Sequence, residues 1–144
     1  MSKHNDSVAL AGRVLIGVLF FMSGLSKVAA PAATQGFIAS AGLPVPLAAY
    51  AVAVTVEVLG SSLLIAGFRT RAVAAGIAVF TLATALGFHT NFADQNQMIH
   101  FMKNIAIIGG LLQVVAFGGG KYSLDHLLAR RSAAPANAAL QAAA

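Results

Sequence analysis

LAAYAVAVTVEVLGSSLLIAGF, residues 47–68, decides the fold of this chain. Its one charged side chain is Glu57, and every other position is apolar, small or a hydroxyl or phenol. Wound as an α-helix, such a run rises about 33 Å, enough to cross the roughly 30 Å hydrocarbon core of a bilayer. It does not alternate in the period-two manner of a barrel strand. Three further runs of the same kind flank it, at about 8–28, 72–88 and 98–117. The fold class that follows is all-α, a transmembrane four-helix bundle.

Composition supports this reading. Of the 144 residues, 58% are hydrophobic and only 9% are charged, against about 25% charged in an ordinary soluble domain. Four acids and nine Lys or Arg cannot supply a solvated skin, which excludes a soluble enzyme and a disordered tail protein. The net charge of +5 is scattered among apolar runs, not clustered into a basic patch, so no nucleic-acid partner is expected. No cysteine is present, which removes disulfides, thiolate metal sites and a protein-borne thiol couple.

The connections set the topology. Only Arg69, Thr70 and Arg71 separate the second and third runs, so these helices must form a tight hairpin. Between the first and second runs, Pro31 suits the first turn of a helix and Pro44 forbids its continuation. A short interfacial helix over about Ala32 to Ser40 is expected there. His89 to Gln97, the most polar stretch, reads as a surface loop. The first run has a basic start and small residues after it, as a secretory leader does, but Lys27 and Pro31 sit where a cleavage region should be neutral and open. Lys3, Arg69, Arg71, Lys121, Arg130 and Arg131 all fall on one side of a four-span chain, which places both termini in the cytoplasm. Residues 1–132 read as one membrane domain in contact with lipid. Past Asp125 one amphipathic turn is expected, and residues 133–144 as a disordered Ala-rich tail.

The informative residues are those a span should not contain, because an ionisable group in hydrocarbon costs about 2.5–3.5 kcal/mol and normally faces the bundle interior or a wet cavity. They are Arg13, Lys27, Glu57, His89, His100, Lys103 and Asn104, the candidate ligand-binding set; no catalytic residue is assigned. Arg13, Gly17, Phe20, Gly24 and Lys27 fall within roughly 80° of arc on one stripe of the first helix. The glycines of that stripe serve helix packing. Lys27, Glu57, His89, Lys103 and Asn104 are expected to converge in one pocket, with Arg13 below it. One acid facing Arg13, Lys27 and Lys103 makes a cationic interior, suited to a quinone carbonyl, a lipid phosphate or a small carboxylate. For Lys27 and Lys103 the competing reading is snorkelling to the headgroups. His89 and His100 could face one another, but a zinc site lacks a convincing third ligand and a haem clasp needs deeper histidines, so no metal is assigned. Motifs for nucleotide loops, nucleophile elbows and zinc-protease helices are lacking.

As a set, these residues resemble the DoxX family of small bacterial inner-membrane proteins. The likeness runs through Arg13, Gly17, Phe20 or Phe21, Gly24 and Lys27; Phe37 with Gly42-Leu43-Pro44; Glu57, Gly60, Leu64 and Gly67; Arg71 with Ala74 and Ala75; then His89, His100-Phe101, Lys103-Asn104 and Gly109-Gly110-Leu111-Leu112. Ser61 departs from the pattern, where many relatives have a second glycine. The resemblance implies a quinone-side or scaffolding subunit of a membrane oxidoreductase assembly, since the family is linked to a quinone-using sulfur oxidation system and to complexes of the oxidative and thiol stress response. It implies no covalently bound cofactor, a quinone as ligand, and oxidoreductase partner proteins or a homo-oligomer as partners. Glu57 would take protons, and Lys103 or His100 would bind a quinone oxygen. The alternative is a binding or transport protein for a small anionic or lipidic molecule.

Overall fold

In a computed structural model, residues 3–132 are described, with side chains from residue 5 onward. The expected tail over 133–144 lies outside them. The chain forms α1 (Lys3–Ala29), α2 (Pro31–Ser40), α3 (Pro46–Ala66), α4 (Thr70–Phe88), α5 (Gln95–Phe117) and α6 (124–132). Four of them, α1, α3, α4 and α5, are long and apolar enough to cross a membrane. The described residues contain no strand. The four-helix reading is therefore correct, and so is the short helix before Pro44.

Several boundaries differ from expectation for local reasons. The second span ends at Ala66 because Gly67 takes φ +72°, and the amides of Gly67 and Phe68 fold back onto the Leu63 carbonyl at 2.9 and 3.0 Å, a C-terminal cap that a side chain would strain. Only residues 67–69 then join α3 to α4, the tight turn the sequence demanded. The polar stretch 89–97 is not all loop: Asp94 accepts from the amides of Asn96 and Gln97 at 2.8 and 3.3 Å and starts α5 at Gln95, as an N-cap aspartate does. Residues 124–132 make a full helix where one turn was expected.

Inside α3, Thr55–Gly60 is wound as a π-turn. Hydroxyls back-bond to carbonyls along this stretch: Thr55 Oγ1 donates to Ala51 O at 2.8 Å, Ser62 Oγ to Val58 O at 2.7 Å, and Ser61 Oγ to Glu57 O. Such insertions cluster at functional sites because they re-aim the side chains they contain.

Phe20, Leu64, Ala74, Ile77, Ala78 and Leu111 form the buried core. The glycine stripe of α1 faces α3: a Cβ on Gly24 would lie 3.0 Å from Glu57 Cβ, and one on Gly17 would strike Ile65. Small residues here let the two backbones approach, the packing mode of helices that gain nothing from hydrophobic expulsion. That approach brings the ends of α1 to two different polar sites.

Candidate functional site in the bundle

The first site lies toward the helix ends opposite the termini. Lys27, in the last turn of α1, places Nζ 2.7 Å from Glu57 Oε2 and 3.0 Å from Oε1, and donates to Ser23 Oγ one turn back at 2.9 Å. Glu57 is almost wholly buried and Lys27 is one quarter exposed. Tyr50 Oη reaches the Lys27 carbonyl at 3.4 Å. Beside the pair opens a pocket of about 570 Å³. Phe20, Leu19, Val52, Ala53, Phe80 and Ile107 make apolar walls, and Ser23, Thr34, Thr84, His89 and Asn104 add polar groups. Phe37 of α2 stacks on Phe88 of α4 with centroids 5.3 Å apart and an interplanar angle of 13°, and both line the cavity. The interfacial helix is thus tied to the bundle through a wall of the pocket.

Lys27, Glu57, His89 and Asn104 come together there; Lys103, expected with them, does not, and His100 and Arg13 of the candidate set also lie outside the lining. Lys103 is exposed on α5 and lines no part of the cavity. The reason is angular: neighbouring helix residues point about 100° apart, so Asn104 facing inward turns Lys103 out. His100 stacks on His89, centroids 5.1 Å apart and 18° between planes, and stays outside the lining. His89 Nδ1 is 2.8 Å from Gln97 Oε1. Arg13 is at the other end of the bundle. The cationic interior expected from three bases around one acid is accordingly absent, because Glu57 neutralises Lys27 alone.

Two features of the pocket bear on ligands. The Asn104 amide has no hydrogen-bond partner among the described residues, and the buried Glu57 carboxylate has the Lys27 ammonium as its partner on both oxygens. A cavity with polar groups at its head and aromatic walls suits an amphipathic molecule. Sequence reading missed Ser23, Thr34, Thr84 and the Phe37–Phe88 stack; a periodicity check placing Ser23 four residues before Lys27 would have found the first.

The second site closes the end that carries both termini. Arg13 is 1% exposed, and its Nη1 and Nη2 donate to the carbonyls of Gly119 and Tyr122 at 2.6 and 2.7 Å. Glycine is required around it: a Cβ on Gly67 or Gly119 would stand 2.7 Å from Nη1. Asp125 caps α4, accepting from Arg69 N at 2.7 Å, Thr70 N at 2.8 Å and Thr70 Oγ1 at 2.7 Å. Burial pushes the Asp125 carboxyl up, but these hydrogen bonds and the Arg13 charge outweigh it and hold it below its ordinary value of 3.8. Lys121 pairs with buried Asp6, Nζ to Oδ2 at 3.3 Å. This is a polar clasp joining α1, the α3–α4 turn and the segment after α5.

The DoxX family model matches residues 8–90. The chain belongs to the DoxX family. Two relatives are similar along nearly the whole length: "Inner membrane protein YqjF" of Escherichia coli (strain K12), 37% identical over 134 residues that cover 91% of this chain and 99% of the relative, and "Inner membrane protein YphA" of the same organism, 36% identical over 121 residues that cover 81% and 86%. No solved structure matches significantly. With four spanning helices, this DoxX protein is a multi-pass inner-membrane protein.

Proposed function

We propose that the protein is the quinone-side subunit of a membrane oxidoreductase assembly, with both termini in the cytoplasm, and that the pocket beside Lys27 and Glu57 receives the quinone ring. The observation that carries this reading is the amphipathic cavity itself: aromatic and aliphatic walls, with one ion pair and one unpartnered amide at its polar end. Those residues fit the group. A quinone needs donors for its carbonyl oxygens, which Lys27 and Asn104 can give, and a quinol needs an acceptor for its hydroxyl, which the Glu57 carboxylate can be. Phe37, Phe88 and Val52 offer flat apolar surface to a ring and its tail. The ligand supplies the redox chemistry; this chain binds it, orients it and holds a proton site at Glu57. Having no cysteine for a protein-borne couple, the chain takes its electrons from a partner protein, and the isolated subunit does not turn over.

The pairing of Lys27 with Glu57 favours this over the alternative of a small-anion carrier, since a nearly neutral pocket has little attraction for a carboxylate. Purified protein should bind a decyl-chain benzoquinone, and Asn104→Leu should weaken that binding about tenfold, the worth of one hydrogen bond to a buried acceptor. Equal binding of benzoate and the benzoquinone would favour the carrier, and binding of neither by folded protein would leave a scaffold.

A further inference from the structure

The clasp at the terminal end borders a cleft of about 650 Å³ that the quinone reading does not use. Its charges are unevenly satisfied. The two acids are spent, Asp125 on the α4 cap and Asp6 on Lys121. Arg69 and Arg71 also line it, both exposed, and neither guanidinium has an ion pair or hydrogen bond among the described residues. Arg71 lies across Gly118, with Nε 3.3 Å from where a Cβ would stand.

Next to the cleft, α6 presents Leu124, Leu127 and Leu128, which are 40%, 45% and 45% exposed. Their spacing of three and one puts them on one helical face, and Arg130 and Arg131 follow. Among the described residues this face is left partly uncovered. It is held at the depth of the α4 start, because Asp125 of α6 bonds Arg69 N and Thr70 N directly. An apolar stripe flanked by unpaired arginines, fixed level with the end of a membrane span, has the layout of a helix lying in the headgroup layer.

We propose that this end of the protein binds an anionic phospholipid, its phosphate held by Arg69 and Arg71 in the cleft and its acyl chains running along Leu124, Leu127 and Leu128. Planar guanidinium forks match a phosphodiester. The apolar face commits the site to a lipid, since a free phosphate has nothing to lay against the three leucines. Bound lipid would brace α6, and through Asp125 the α3–α4 turn.

The test is lipid retention by the full-length protein in neutral detergent, read by native mass spectrometry after adding phosphatidylglycerol, phosphatidylcholine or inorganic phosphate. The expected result is preferential retention of phosphatidylglycerol, lowered about fivefold by Arg71→Gln and again by Arg69→Gln. Leu127→Ser with Leu128→Ser should lower it too, while Lys103→Gln at the opposite end leaves it unchanged. Circular dichroism on each variant separates lost binding from lost fold; should Arg69→Gln unfold, Arg71→Gln alone decides. Three outcomes overturn the proposal: equal retention of the two lipids, retention unaffected in folded Arg71→Gln, or displacement of the lipid by millimolar inorganic phosphate, which would make the cleft a free-anion site.

Discussion

Removing Glu57 and Lys27 singly and together measures the ion pair on which the pocket is built. With Glu57→Leu, the ammonium keeps only Ser23 Oγ, at 2.9 Å. Breaking a fully buried pair costs about 3–5 kcal/mol and an exposed one about 0–1 kcal/mol. Lys27 is 25% exposed, so the cost should fall between, at about 2–3 kcal/mol. Lys27→Met is worse, because the stranded carboxylate is only 7% exposed; about 3–4 kcal/mol is expected. The double variant replaces the pair by apolar groups of similar size, and should lie within about 1 kcal/mol of wild type. The coupling energy that follows from these costs is at least about 4 kcal/mol. Reversible unfolding in mixed micelles, followed by circular dichroism, supplies all three values. Strictly additive single costs would refute the argument, since they would mean that the two groups do not meet.

The other expectations concern the clasp and the topology. Arg13→Met strands one buried and one partly buried carbonyl, charge-assisted hydrogen bonds being worth about 1.5–3 kcal/mol when buried, so a loss of about 2–5 kcal/mol is expected in the same unfolding assay; a loss below about 1 kcal/mol would contradict the buried fork. Asp125 has a folded pKa below its unfolded value of about 3.8, so its contribution is present above that value and disappears as pH falls through the folded pKa. Asp125→Asn should thus lower stability at neutral pH and flatten the acid limb of a stability profile, and an unchanged limb would contradict the cap. Reporter fusions at Thr70 and Asp94 should report opposite sides of the membrane, with Thr70 cytoplasmic.

What the sequence made legible was periodic or compositional. Four apolar runs gave four spanning helices, Pro31 and Pro44 bounded α2, and the α1 stripe placed Arg13 and Lys27 on the face that meets α3. What it did not make legible depends on partners remote in the chain. Arg13 seeks the Gly119 and Tyr122 carbonyls, more than a hundred residues away, and a backbone acceptor leaves no complementary residue type to read. The π-turn at Thr55–Gly60 depends on one extra residue in a turn, which the apolar pattern hides. Lys103 is a different kind of error. Its 100° offset from Asn104 is elementary helix geometry, and applying it would have kept only one of the two in the pocket.

Photo-crosslinking with an azido-benzoquinone in native membranes locates the quinone on the chain. Labelled peptides from α2 and α3 around Phe37 and Val52 are expected, protected by unmodified quinone and lost in Lys27→Met combined with Asn104→Leu. Labelling confined to the lipid-exposed face of α5 around Met102 and Ile105, with no protection by excess quinone and no change in the double variant, would contradict the proposed site.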